Sequence, residues 1–490
     1  MVNYTVKDNM IKNYIFKTKP YKHQLDALKK SWDKETYALF MEMGTGKSKV
    51  LVDNIAMLHK KALIRGALVV APKGVYKNWD EIEFPVHMPD DVECTKVLWD
   101  PNLTKKKQFE LDQLFRDDHK LKLLIMNVEA FSTTKGLQFA KKFLLSLLGR
   151  ALIGIDESTT IKSPTAKRTK NILEMGTLAK YRRILTGSPV TKSPLDLYTQ
   201  CEFLDPKHLG HSSYYSFRYR YANMIKRRFG GREVQLVTSY RRLGELASIL
   251  EDFSYRVLKE ECLDLPPKNY ATRVFDLSKE QKEMYGTMKK IAIAQHKGKI
   301  MSSMSALTTL LRLHQITCGT FKADDGTITH LDNGRMTALM DCLQEIEGKV
   351  IIWANYREDI KKIVESLKKA YGDDSTVEYH GGVDATLRQK NIALFQEKNS
   401  PTRYFVGNAQ TGGYGITLTA ANTVIYYSNN YDLEKRLQSE DRAHRIGQTG
   451  SVTYVDLVAE KTIDERIIKS LKHKVSLANE IMGEDIKDWI

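Results

Sequence analysis

A short apolar run, Tyr37-Ala38-Leu39-Phe40, leads through Met41 into Glu42-Met43-Gly44-Thr45-Gly46-Lys47-Ser48, and helical spacing follows from Lys49 to Leu58. Strand, glycine turn, Lys-Ser, helix is the context of a phosphate-binding loop, and it constrains the fold more than any other stretch. Gly44 and Gly46, on either side of Thr45, let backbone N–H groups approach phosphate closely. Lys47 reaches the β- and γ-oxygens of a nucleotide, and Ser48 is placed to ligate Mg²⁺. The general pattern has a glycine at position 41, where this chain has Met41.

Two further segments complete such a site. Ala151-Leu152-Ile153-Gly154-Ile155 reads as a strand ending in Asp156-Glu157. Asp156 there would hold Mg²⁺ through water, and Glu157 would orient and deprotonate the attacking water. Far downstream, Asp441-Arg442-Ala443-His444-Arg445-Ile446-Gly447-Gln448 places two arginines three positions apart, on one face of a helical turn or of a tight loop leading out of one. Guanidinium groups offer forked donors to phosphate oxygens at any working pH, so Arg442 and Arg445 suit the γ-phosphate of ATP held elsewhere. Upstream, Gln24 opens a helical pattern with an amide able to donate to and accept from an adenine edge.

Composition sets the class. The 490 residues suffice for two or three domains, and a 42% hydrophobic, 28% charged chain is ordinary for a soluble enzyme. No apolar run is long enough to span a bilayer, and MVNYTVKDNM has no signal pattern, so a cytoplasmic location, or one in a compartment continuous with the cytosol, without membrane, is expected. The five cysteines lie far apart without CxxC spacing, which supports neither disulfides nor zinc and leaves buried thiols. A net charge of +16 fits a polyanion, most simply nucleic acid.

Further strands read at Leu68–Lys73, running into a loop, at Leu123–Asn127, ending in a polar residue, and at Arg183–Leu185, followed by the hydroxyl-rich turn Thr186-Gly187-Ser188-Pro189. Between Val190 and about Arg335 the alternation lapses into stretches that read as helices, with basic and aromatic residues interleaved (Phe217-Arg218-Tyr219-Arg220-Tyr221, Lys226-Arg227-Arg228-Phe229). Leu265-Pro266-Pro267-Lys268 reads as a boundary. Strand and helix then alternate again through Lys349–Ala354, Thr402–Gly407, Thr423–Tyr427 and Val452–Leu457. The turns expected at strand carboxyl ends, where ligands bind, are Tyr379–Gly382, Thr411–Gly415 and the arginine segment. The expected fold is α/β, with two parallel-sheet lobes: 1–190 binding ATP, 191–260 a helical insertion, 261–463 a second lobe with a helical segment near 278–335, and 464–490 a closing helix.

In this order the segments resemble the helicase-like ATPases of superfamily two, and within them the Swi/Snf class of double-stranded DNA translocases, in a compact bacterial or viral form. The resemblance spans about 20–490. It rests on Tyr21–Gln24, Glu42–Ser48, Asp156-Glu157, Leu185–Pro189, Phe203-Leu204-Asp205-Pro206, Leu265–Lys268, Thr411–Ala421 and Asp441–Gln448. It implies two RecA-like lobes and ATP with Mg²⁺ as cofactors. Gln24, Gly44, Thr45, Gly46, Lys47, Ser48 and Gln448 would bind nucleotide, with Ser48 and Asp156 at the metal. Asp156, Glu157, Arg442 and Arg445 would carry catalysis. Lys73, Asn127, His380, Thr411 and Gly412 fall in motifs that face the DNA backbone in relatives. Thr159 departs from the His or Asp usual at that place. The expected activity is a DNA-dependent ATPase moving on double-stranded DNA, acting as a monomer in repair, replication or recombination, with no room for histone-reading modules. A strand-separating or annealing helicase, a nucleotide-gated nucleic-acid-binding switch and an RNA-stimulated ATPase are the alternatives.

Overall fold

The computed structural model describes residues 11, 13–229, 232–297, 303–323, 325–412 and 415–482. It divides into two compact units, one built mainly on residues up to Asn223 with Ser239–Asp264, the other mainly on Leu265–Ser476.

The first unit carries seven strands: β1 (Thr36–Met41), β2 (Gly66–Ala71), β3 (Cys94–Leu98), β4 (Leu121–Asn127), β5 (Ala151–Asp156), β6 (Tyr181–Leu185) and, far along the chain, a short strand at Ser254–Val257. That late strand is β9, because a hairpin of β7 (Ala222–Phe229) and β8 (Arg232–Tyr240) intervenes. The sheet order is β3-β4-β2-β5-β6-β1-β9, and every pairing is parallel. Parallel strands covered by helices on both faces read as continuous apolar runs, and β2, β4 and β5 are buried along their whole length. The helix Lys47–Lys60 lies deep in this unit, with every residue from Lys49 to Leu58 buried.

The second unit has six parallel strands: β10 (Lys268–Phe275), β13 (Lys349–Trp353), β14 (Thr376–Tyr379), β15 (Tyr404–Gly407), β16 (Ala421–Tyr426) and β17 (Val452–Ala459). Their order is β10-β17-β16-β13-β15-β14, and a small antiparallel pair, β11 (Thr320–Lys322) with β12 (Ile328–His330), lies outside this sheet. The helix Ile463–Met482 closes the described chain, burying Ile463, Ile467 and Leu471 with Leu313 and Leu433.

The stretch expected to be helical is so only in part. Phe217–Tyr221 belongs to a helix, Tyr214–Tyr221, but Lys226–Phe229 lies in β7. The Gly230-Gly231 pair between two runs with β-branched and aromatic residues is the hairpin signal that the charge pattern obscured. The strand β10 carries no apolar run to mark it, because Lys, Asn, Thr and Arg interrupt its sequence and none of its residues is buried at this sheet edge. Among the described residues no helix is long and apolar enough to cross a membrane. Cys201, Cys318 and Cys342 are buried and Cys262 half-buried, whereas Cys94 is exposed, against the expectation for all five.

Candidate nucleotide site

In the first unit the strand ends supply the pieces. Strand β1 runs into the glycine turn, where Gly44 and Gly46 take φ +80° and +83°, conformations that a side chain resists. A Cβ on Gly46 would stand 2.2 Å from Nε2 of Gln24, so the turn is tight against its neighbour as well. The turn is tied down from above. His23 Nε2 and Gln24 Nε2 both hydrogen bond to the Thr45 carbonyl, at 2.7 and 3.0 Å. The Gln24 side-chain oxygen accepts from the Tyr21 amide, so both ends of that amide brace the loop and its own helix start. Thr45 Oγ1 in turn donates to the Glu42 carbonyl at 2.7 Å.

Strand β5 delivers Asp156 and Glu157. Asp156 is buried; its Oδ2 accepts from the Trp79 indole at 2.9 Å and its Oδ1 from the Glu157 amide at 3.0 Å. Glu157 sits at φ 49°, ψ 60°, a left-handed conformation that costs a residue with a side chain roughly 1–2 kcal/mol. That backbone turn brings its carboxylate to 3.8 Å from the Lys47 ammonium, across the width of β6. The turn after β6 fills the gap, since a Cβ on Gly187 would stand 3.0 Å from the Met43 amide. Ser158 donates to Gln200 at 2.7 Å, and Gln200 donates to the Pro189 carbonyl at 2.9 Å. The acidic segment is thus wired to the Thr-Gly-Ser-Pro turn through a residue that no motif marked. Lys73, exposed beyond β2, and Asn127, the last residue of β4, lie at this same carboxyl edge; Asn127 Oδ1 caps the next turn at Ala130.

The second unit holds the arginine segment, and its position corrects one expectation. It follows the helix Leu433–Glu440 and leads into β17, so it enters a strand rather than leaving a strand's carboxyl end. Its residues form turns. Arg442 is buried and donates to the Gln438 carbonyl at 2.8 Å and to the Ile416 carbonyl at 3.1 Å. Arg445 is half-buried and donates to Thr417 Oγ1 at 3.0 Å. Gln448 is buried, with Nε2 donating to the carbonyls of Ala421 and Ala443 and Oε1 accepting from the Thr449 amide, which ties this segment to the one entering β16. Beneath it, Glu440 is fully buried, which by itself raises a carboxyl pKa, yet Lys268 and Arg436 hold it below the usual range. Arg436 also clasps Asp456 at 2.5 Å.

His380 follows β14 and faces Glu378 at 3.4 Å, and Thr411 and Gly412 end a short helix after β15. Gly413 and Tyr414 of the glycine-rich motif lie outside the described residues.

Among the described residues no group of three or more His, Cys, Asp or Glu side chains could hold a metal. The Ser48 hydroxyl with one carboxylate, Asp156, still fits Mg²⁺, which keeps several waters and takes its remaining ligands from phosphate.

Parallel sheets with a glycine turn, Lys-Ser and a strand-end acid pair define an ATP-binding P-loop protein. The chain belongs to the family of the SNF2-related domain, which matches residues 23–321, and the helicase conserved C-terminal domain matches 334–447. It is therefore a helicase-like ATPase of two domains. It is 30% identical over 334 residues to the mouse DNA annealing helicase and endonuclease ZRANB3, covering 67% of this chain and 30% of that protein. It is 24% identical to the CHD3-type chromatin-remodeling factor PICKLE of Arabidopsis thaliana, covering 95% of this chain and 34% of that one. An ATP-dependent helicase of Mycoplasma genitalium is 25% identical, over 91% of this chain and 40% of its own. The chain thus spans well under half the length of these curated relatives. Among solved structures, the Sulfolobus solfataricus SWI2/SNF2 ATPase core in complex with dsDNA matches 96% of this chain and 94% of that one, at 24% identity and a TM-score of 0.43.

Proposed function

We propose that this chain is a DNA-stimulated ATPase that translocates on double-stranded DNA and remodels DNA or protein–DNA complexes. The observation that carries the reading is the strained Glu157 held 3.8 Å from Lys47. A site that only binds nucleotide gains nothing from a carboxylate aimed at the phosphate lysine, whereas hydrolysis needs a base there. ATP competes with Glu157 for Lys47; once the ammonium turns to phosphate, the carboxylate is released to take the proton of the attacking water. Ser48 and Asp156 would hold Mg²⁺, which when bound neutralises charge developing on the phosphate oxygens. Arg442 and Arg445 are the groups proposed to supply further positive charge to the nucleotide. Lys73, Asn127, His380, Thr411 and Gly412 grip the phosphates of the duplex, so binding tolerates sequence and falls steeply with salt.

The test is steady-state ATP hydrolysis with no nucleic acid, duplex DNA, single-stranded DNA and RNA, for the natural chain and Glu157→Gln. Strong stimulation by the duplex, abolished in the variant, is expected; no stimulation ends the motor reading. The likeness to a DNA annealing helicase favours one second reading, annealing of unpaired strands. ATP-driven closure of a DNA bubble, compared with displacement of a triplex strand, separates the two.

A further inference from the structure

Trp79 is 1% exposed and lies in the core of the first unit, its ring 5.8 Å from that of Phe84. Its one polar atom points at the site. The indole N–H donates to Asp156 Oδ2 at 2.9 Å, while the Glu157 amide donates to Oδ1 at 3.0 Å. A donor on each oxygen fixes the plane of the carboxylate. An ionised carboxylate offers about four acceptor positions, so each oxygen keeps one for the waters of Mg²⁺. A neutral donor suits this place, because it orients the acid without cancelling the charge that the metal requires.

The backbone of Trp79 belongs to a segment that reaches the surface. After β2 ends at Ala71 the chain coils tightly. The Val75 and Tyr76 amides donate to the Pro72 carbonyl at 2.9 and 3.0 Å, and the Asn78 amide donates to the Val75 carbonyl at 2.9 Å. From Trp79 to Glu83 the turn widens, with the Phe84 amide on the Trp79 carbonyl, a form of helix that recurs at functional sites. Along this coil Lys73 and Lys77 are exposed, whereas Tyr76 and Trp79 are buried. One short stretch thus carries two cations on its outer side and the donor to Asp156 on its inner side.

We propose that Trp79 is a positioning residue that sets the Asp156 carboxylate for Mg²⁺ and, through the segment it shares with Lys73 and Lys77, passes the contact with duplex phosphates to the metal. This rests on the DNA-stimulated ATPase reading above and adds the route of the stimulation. Binding of fluorescent ATP is titrated over a series of MgCl₂ concentrations, with and without duplex DNA. The ratio of duplex-stimulated to unstimulated hydrolysis and the melting temperature are measured alongside. The natural chain is compared with Trp79→Phe, which keeps a ring but loses the N–H. Trp99→Phe is the packing control, since Trp99 is equally buried but packs on Phe139 beside the edge strand β3. Loss of a partner that orients a metal ligand predicts that Trp79→Phe needs about 10- to 100-fold more Mg²⁺ to tighten ATP binding half-maximally. Its hydrolysis ratio at saturating Mg²⁺ falls towards unity, and Trp99→Phe moves neither quantity. A folded Trp79→Phe with the natural Mg²⁺ requirement or the natural ratio overturns the proposal, as do equal shifts in Trp99→Phe. Where Trp79→Phe unfolds, the natural chain decides. Duplex DNA should lower its Mg²⁺ requirement several-fold, an effect lost when Lys73→Gln and Lys77→Gln are combined at their exposed positions. A requirement that the duplex leaves unchanged refutes the proposal. A natural chain that hydrolyses no ATP overturns the ATPase reading as well; one stimulated by the duplex to the same extent as its Trp79→Phe variant overturns this proposal alone.

Discussion

The phosphate loop and the arginine segment are both short, strongly patterned strings, yet the two units restrain them in opposite ways. Around the loop, the bracing falls to groups other than the lysine and glutamate of the site: His23 and Gln24 on the Thr45 carbonyl, Arg256 on the carbonyls of Phe40 and Gly187, Trp79 on Asp156. The charges Lys47 and Glu157 are left facing each other. In the arginine segment the charged groups themselves are braces, since Arg442 is anchored to two backbone carbonyls of its own unit. One half separates support from chemistry. The other merges them, so the same kind of substitution has different consequences in each.

The sharpest way to break this contrast is to compare Arg445→Ala with Arg442→Ala. Both are expected to lower DNA-stimulated turnover by about 10³–10⁵, the usual worth of an arginine finger. Arg442→Ala also strands buried carbonyls and destabilises by about 1–3 kcal/mol in urea unfolding, whereas half-buried Arg445 costs little stability. Equal stability losses would dissolve the distinction. Next comes Glu157→Gln, expected to cut turnover by about 10²–10⁴ while leaving ATP affinity within a few-fold, read by single-turnover hydrolysis and nucleotide binding.

Buried arginines away from the site extend the comparison. Arg183, in the first unit, donates to the Asn54 side-chain oxygen and to backbone carbonyls, among them those of Ser31 and Glu35; burial lowers its pKa to about 10. Arg335, in the second, is also fully buried but bonds the Asp464 carboxylate. Arg335→Met removes the charge partner of that carboxylate, which keeps hydrogen bonds from the Thr317 hydroxyl and the Ala459 amide, and should cost about 3–5 kcal/mol, more than Arg183→Met, which strands only neutral acceptors. Chemical denaturation of the two variants checks the order.

The smallest expected effect is one of pH. Burial raises the Asp359 pKa to about 7, with Arg335 opposing it. The folded chain holds that proton more tightly than the unfolded one, so the stabilisation is complete below about pH 4 and is lost as pH rises through 7. Asp359→Asn should therefore raise the melting temperature at pH 8 and change it less at pH 5.

Motifs were legible where the physics is local. Gly44 and Gly46 announce themselves because a left-handed turn before a helix needs glycine, and Lys47 follows at a fixed step. Both parallel sheets showed in their apolar runs. The bracing did not show. Trp79 reaches Asp156 across 77 residues, Ser158 reaches Gln200 across 42, and Lys259 reaches Glu42 across 217. No period or spacing rule spans such gaps. Gln24 illustrates the limit from the other side: its place before the loop drew notice, but not that both ends of its amide are engaged by Tyr21 and Thr45.

Strand β9 has one more consequence. The segment that borders β1 and carries Arg256 and Lys259 is made only after the hairpin that precedes it, so a ribosome must translate past Val257 before the first unit can seal its edge. A fragment cut at residue 190 would leave the backbone of β1 bare along one side, open to pairing with neighbouring chains. Fragments meant to isolate the nucleotide-binding half should therefore stop after Asp264, because the shorter piece is expected to precipitate.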